Sequence, residues 1–247
     1  MVPALARRRR VITLDVPGFG DSAPVGPGFE LSAVADRIAA AVREAGVTGA
    51  FDLVGHSLGA GIALTLATDS PATVLRLVLV APAGLAPVHR LASVAVSAGV
   101  DGALWTRRRL VALADLAWGR RLLLGLAAAE PSAIPPTQAR LMIDASAGAS
   151  RTAAALQTIA GSDLRPLLGR LRAPLGVIWG ARDRTVPIRH ADVIRSARPE
   201  VEVVVIEGAG HVAMVERPEA FVAALSGLLQ RLPKDSTSSS GRRTTVP

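Results

Sequence analysis

The sequence predicts an α/β fold, a mainly parallel sheet with helices on both faces and a helical insertion. Three observations carry this. β-rich apolar runs at residues 51–55, 75–80, 175–179 and 201–206 alternate with helical patterns. These runs have the continuous apolar character of strands covered on both sides. Half of the 247 residues are hydrophobic, enough to bury the core of one domain with a small insertion.

In chain order, a strand is expected near residues 10–16, a helix over 31–45, a strand over 51–55, a helix over 58–68 and a strand over 75–80. Residues 87–162 then break the alternation and are rich in Ala, Leu and Arg. They form the candidate cap, punctuated by Pro131, Pro135 and Pro136. Alternation resumes with a strand over 175–179, a helix over 187–197, a strand over 201–206 and a helix over 216–232. The core domain is thus expected at 1–86 and 163–232, with the cap at 87–162. Residues 233–247 are Ser/Thr-rich with Gly and basic residues, the composition of a disordered tail.

The most informative stretch is Gly55-His56-Ser57-Leu58-Gly59, between a buried-strand pattern and a small-residue helix pattern. Strand, Gly-x-Ser-x-Gly and helix together describe a nucleophile elbow. The turn is tight enough to demand small flanking residues, hence the two glycines. It lifts the Ser57 hydroxyl above the strand ends and aims the next helix's N-terminus at the reacting atoms. A serine needs a base, and the base an orienting acid. Of four histidines, His211 stands in Glu207-Gly208-Ala209-Gly210-His211 directly after a strand pattern, where two glycines make a loop that presents an imidazole. His56, His89 and His190 read as packing or surface residues. Between Ser57 and His211, Asp183 ends a strand and glycine turn, whereas Ala81-Pro82-Ala83-Gly84, after the strand over 75–80, offers no carboxylate. Asp144 and Asp163 read as caps or solvated charges.

These motifs resemble the α/β-hydrolase superfamily, in its capped, serine-nucleophile branch. The resemblance runs over residues 11–232. It rests on the loop from Asp15 to Ser22, the elbow, the acid turn Gly180 to Pro187, and the loop Gly208 to His211 with Glu216-Arg217-Pro218-Glu219. It implies a Ser57–His211–Asp183 triad that cleaves an ester-like bond (carboxylic ester, thioester, lactone or C–C) through an acyl-enzyme, with no cofactor and no metal. Perhydrolase and acyltransferase chemistry stay open. The Leu58 N–H is the implied oxyanion donor. Leu85, Trp105 and Val212 are the implied substrate contacts, and the partner is a small-molecule acyl substrate. Asp21 and Ser22 are expected to hold the Asp15 loop through side-chain hydrogen bonds. The chain departs from the pattern in one respect. The N-terminal strands and the His-Gly loop that gives the second oxyanion donor have no counterpart before Asp15, so the sheet is expected to be incomplete there. This keeps a second possibility open, a truncated or inactive hydrolase-like protein acting as a binding or assembly partner.

The formal net charge of +8 rests almost wholly on arginine, since Lys234 is the sole lysine. Clusters at Arg7–Arg10, Arg107–Arg109 and Arg120–Arg121 could attract nucleic acid. No nucleic-acid module accompanies them and aromatic residues are only 3% of the chain, so nucleic acid is not expected as a partner. The absence of cysteine excludes disulfides and zinc–thiolate sites. Charged residues interrupt every long apolar run, and no signal-like segment is legible, so a cytoplasmic location is the expectation. Composition leaves the oligomeric state unknown. Leu104, Trp105, Leu122, Leu123, Leu124, Leu126, Leu141 and Met142 are candidates either to line an acyl pocket or to pack the cap.

Overall fold

The computed structural model describes residues 1–86, 102–103, 105–148 and 151–234. Four strands form one parallel sheet in the order β1 (Phe51–His56), β2 (Val74–Val80), β3 (Leu175–Gly180) and β4 (Glu202–Ile206). The continuous apolar runs have a simple cause. On β2, Leu77 and Leu79 enter one core cluster while Val78 and Val80 enter the other. Side chains alternate across a strand, so a strand covered on both faces is apolar at successive positions, and the one charged residue of β2, Arg76, is buried and paired. Every residue of β3 is buried.

After a short N-terminal helix α1 (Val2–Ala6), helices α2 (Leu31–Glu44) and α3 (Leu58–Asp69) pack on the sheet in the larger cluster through Val34, Ala35, Ile62 and Leu66. The other face is covered through Phe221, Leu225 and Leu228 of the helix Pro218–Arg231. Pro218 occupies the first helical turn, where a missing N–H costs nothing. The expected helix over 216–232 is therefore two pieces, Ala213–Glu216 and Pro218–Arg231, and that over 187–197 is a 3₁₀ turn Ile188–His190 leading into Ala191–Ala197. A bidentate ion pair ties the lower ends of β1 and β2. Arg76 Nε and Nη2 each donate to Asp52 at 2.6 Å, and Nη1 donates to the Leu229 carbonyl.

Part of the expected cap forms its own cluster, with Ala114, Leu123, Leu124, Ile134, Ala139 and Ile143 at its centre. Met142 packs on this cluster, whereas Leu122, Leu126 and Leu141 are exposed. The helix Thr152–Gly161 instead sends Ala155 and Ile159 into the larger sheet core. Leu104, His89 and most of the tail lie outside the described residues.

One expected strand is absent. Residues 10–16 are extended but pair with no strand, and Leu14 is exposed. They stand off from β1 across a cavity of about 840 Å³. Its walls include Val11 and Leu14 on one side, Leu53 and Val54 on the other, Ile62 and Leu66 from α3, and Phe221 and Leu225 from the opposite helical layer. Residues of both layers thus flank a gap beside β1. An unpaired strand edge is a template for association, and Val54 on β1 is 40% exposed. Val54→Lys is expected to lower concentration-dependent self-association with little loss of stability, as read by light scattering and urea unfolding. Association that persists unchanged would show that this edge is not the sticky surface.

Candidate active site

In a parallel sheet all strands end on the same side, and that edge collects the loops that follow them. Ser57 follows β1, Asp183 follows β3 and His211 follows β4.

Ser57 has φ 53° and ψ −116°, a conformation costly for any residue but glycine. The surroundings hold it there. Its N–H donates to the Val80 carbonyl at 2.9 Å, and its carbonyl accepts the Ala83 N–H at 3.3 Å. A Cβ on Gly55 would lie 2.3 Å from the Gly59 carbonyl oxygen, so only glycine fits there. Gly59 differs from expectation. A Cβ there meets nothing within 4 Å, because this position faces the cavity beside β1. Leu58 opens α3, placing its N–H at the helix N-terminus.

Asp183 and His211 meet through a 2.7 Å hydrogen bond from Nδ1 to Oδ2. The Asp183 side chain is fully buried. Its Oδ1 accepts the N–H groups of Thr185 and Val186 at 2.8 and 2.9 Å, which fixes the carboxylate as an acceptor. A carboxylate at Nδ1 leaves the neutral imidazole with Nε2 as its basic nitrogen.

His56 contributes more than packing. Its ring lies 4.6 Å from that of His211, centroid to centroid, and its Nε2 lies 2.8 Å from the His211 carbonyl oxygen. A carbonyl only accepts, so Nε2 carries the proton and donates. Burial, with the neighbouring His211 as a lesser cause, pushes His56 down to about 4. It is therefore neutral at pH 7, and it links the elbow to the histidine loop.

Other expected contacts are scattered. Leu85 is 1% exposed in the larger core. Trp105 is 63% exposed, with the Arg109 guanidinium 4.8 Å from its ring centre. Val212 is half-buried, packs on the cluster around Ala114 and Ile143, and donates its N–H to the Ala127 carbonyl at 3.2 Å. Asp163 is engaged by Arg165 at 2.6 Å. The Asp15 loop is held otherwise than expected, since the Asp15 carboxylate accepts the Asp21 N–H at 3.2 Å and Ser22 offers its backbone carbonyl to Gly18. Among the described residues no group of three or more His, Cys, Asp or Glu is placed to hold a metal. In the sequence Glu216 figures only as part of the stretch Glu216-Arg217-Pro218-Glu219, with no role of its own. It stands five residues after His211 and reads simply as the start of a helix, yet its carboxylate accepts the N–H of Gly210 beside the imidazole.

The model described as "Alpha/beta hydrolase family" matches residues 1–224. The chain belongs to the alpha/beta hydrolase family. It is 30% identical over 231 residues to the dihydrolipoyllysine-residue acetyltransferase component of the acetoin cleaving system of Cupriavidus necator, covering 90% of this chain and 56% of that protein. It is also 30% identical over 237 residues to a Klebsiella pneumoniae protein to which carbamate hydrolysis is provisionally assigned, RutD, covering 93% of this chain and 85% of the other. A thermophilic esterase from Thermogutta terrifontis superposes with a TM-score of 0.66 at 25% identity, over 87% of this chain and 78% of that one. The chain thus spans little more than half the length of the acetyltransferase component it matches.

The depressed His56 gives a pH dependence with a definite sign. The folded protein excludes a proton that the unfolded chain takes up below about pH 6.5. Stability is therefore expected to be full above that pH and to fall progressively as pH drops toward 4. The loss is at most about 3 kcal/mol, and smaller where water in the adjoining cavity solvates the ring. Urea unfolding at pH 7.5 and 5 would measure it, with His56→Asn as the comparison. An equal pH slope in both proteins would contradict this assignment.

Proposed function

We propose that the chain is a serine hydrolase acting on an ester-like carbonyl, with Ser57 as nucleophile, His211 as general base and acid, and Asp183 as orienting carboxylate. The observation that carries this reading is the buried His211–Asp183 hydrogen bond on the same sheet edge as a serine in elbow conformation. His211 Nε2 takes the hydroxyl proton as Ser57 Oγ attacks the carbonyl carbon. Asp183 fixes the tautomer and stabilises the imidazolium. The Leu58 N–H and the N-terminus of α3 stabilise the oxyanion. His211 then protonates the leaving group, and water, deprotonated by the same imidazole, releases the acyl group from Ser57. Loss of one oxyanion donor costs about 10²–10³ in rate, so turnover is modest if Leu58 acts alone.

The carbamate hydrolase and esterase assignments of two relatives support a carbonyl substrate, and the acetyltransferase component is in keeping with acyl chemistry. The gap beside β1 favours a second reading, a hydrolase-like binding or assembly partner without turnover. Turnover decides between them. Ser57→Ala is expected to reduce hydrolysis of p-nitrophenyl acetate by roughly 10³-fold or more while leaving the thermal midpoint in place. Undiminished turnover by the variant would remove Ser57 from the mechanism. A folded wild-type chain that cleaves no member of an ester and thioester panel would favour the second reading.

A further inference from the structure

Glu216 closes the short helix Ala213–Glu216 that follows His211. Its single carboxylate accepts three backbone N–H groups, two from a remote stretch of chain and one from the nearby histidine loop. Oε1 takes the N–H of Ala129 at 2.7 Å and of Glu130 at 3.1 Å. Oε2 takes the N–H of Gly210 at 2.6 Å. Gly210 is bonded directly to His211, whereas Ala129 and Glu130 follow the cap helix Ala117–Leu124. Hydrogen bonds to an ionised acceptor are short and about twice as strong as neutral ones.

Contact between the two stretches is close. A Cβ on Gly210 would lie 2.6 Å from the Ala129 nitrogen and 2.9 Å from the Ala128 carbonyl carbon. On the other side of His211, the Val212 N–H donates to the Ala127 carbonyl at 3.2 Å. The residues on both sides of His211 are thus fastened to residues 127–130, and Glu216 makes one of the two fastenings. The arginines nearby leave its carboxylate to these amides. Arg217 Nη2 and Arg182 Nη1 pair with Glu130, at 3.5 and 3.7 Å, and Arg217 Nη1 donates to the Glu216 backbone carbonyl.

We infer that Glu216 is a positioning residue for His211, coupling the placement of the imidazole to the placement of the cap segment 127–130. This rests on the serine-hydrolase reading for its consequence in rate, but the geometry it predicts can be read without turnover. Replacing the carboxylate by an amide keeps the size and removes one of the two oxygens that the three N–H groups share. The His211 loop then has freedom relative to Asp183 and Ser57, and misplacement near 1 Å is enough to cost about 10²-fold in rate.

The test compares wild type, Glu216→Gln, and Ala129→Pro, which deletes one donor from the cap side. The exposed Glu219→Gln is the control. Three quantities are read on folded protein, namely the NMR signal of the His211 Nδ1–H, kcat and KM for p-nitrophenyl acetate per titrated site, and the unfolding midpoint. Positioning predicts that Glu216→Gln and Ala129→Pro broaden or shift the His211 signal and lower kcat roughly 10- to 100-fold, with KM changed much less. The control should match wild type. An unchanged His211 signal and unchanged kcat in a folded variant would overturn the inference. So would a lower unfolding midpoint as the sole effect, which would make Glu216 merely structural. If one substitution prevents folding, the other decides by the same criteria. Folded wild-type protein that cleaves no member of the ester and thioester panel, but whose His211 signal responds to Glu216→Gln, would count against the serine-hydrolase reading and leave the positioning role standing.

Discussion

The backbone contact between the turn after β3 and the loop after β4 is the constraint on which the site depends. The two strands are neighbours in register, from Gly176 opposite Glu202 to Gly180 opposite Ile206. Beyond them the chains stay in contact. The Ala181 N–H donates to the Ile206 carbonyl at 3.0 Å, and the Arg182 N–H to the Ala209 carbonyl at 2.9 Å. A Cβ on Gly180 would lie 2.1 Å from the Gly210 carbonyl oxygen. Backbones this close leave Asp183 and His211 little choice but to meet. Burial then makes their pairing necessary, because an unpartnered buried carboxylate is costly.

The elbow is fixed from another direction. Ser57 holds its left-handed conformation through bonds to Val80 and Ala83, at the end of β2. His56 carries the tie onward to the His211 carbonyl. Ser57 is therefore placed by β1 and the end of β2, and His211 by the loop after β4 and the His56 side chain, while Glu216 adds a tie to residues 129 and 130. Precision at such a site comes from supporting contacts of this kind rather than from the reacting residues alone. The weakest side of the arrangement is the outer edge of β1, where a cavity replaces a neighbouring strand and leaves Gly59 unconfined.

Much of this was legible in the sequence, for identifiable reasons. The four paired strands announce themselves through their apolar runs, which are continuous over Leu77–Val80 and throughout β3, where both faces are covered. Ser57, Asp183 and His211 are legible because each sits in a local strand-to-turn pattern with its own glycines. Residues 10–16 misled because Val11, Ile12, Leu14 and Val16 have strand composition, whereas a ladder needs a neighbour, and composition reports burial rather than pairing. The role of Glu216 was illegible because its partners Ala129 and Glu130 lie 87 and 86 residues away and contribute only backbone amides, which have no sequence signature. His56 looked like packing because its role depends on the carbonyl of a residue 155 positions later.

Labelling of the chain by a fluorophosphonate, with peptide mapping of the adduct, tests the central claim most directly. The reagent reports an activated serine without any assumption about the substrate. The account predicts a single adduct at Ser57, with labelling slowed when Asp183→Asn removes the orienting carboxylate. Folded protein that takes up no label, or takes it at another serine, would contradict it.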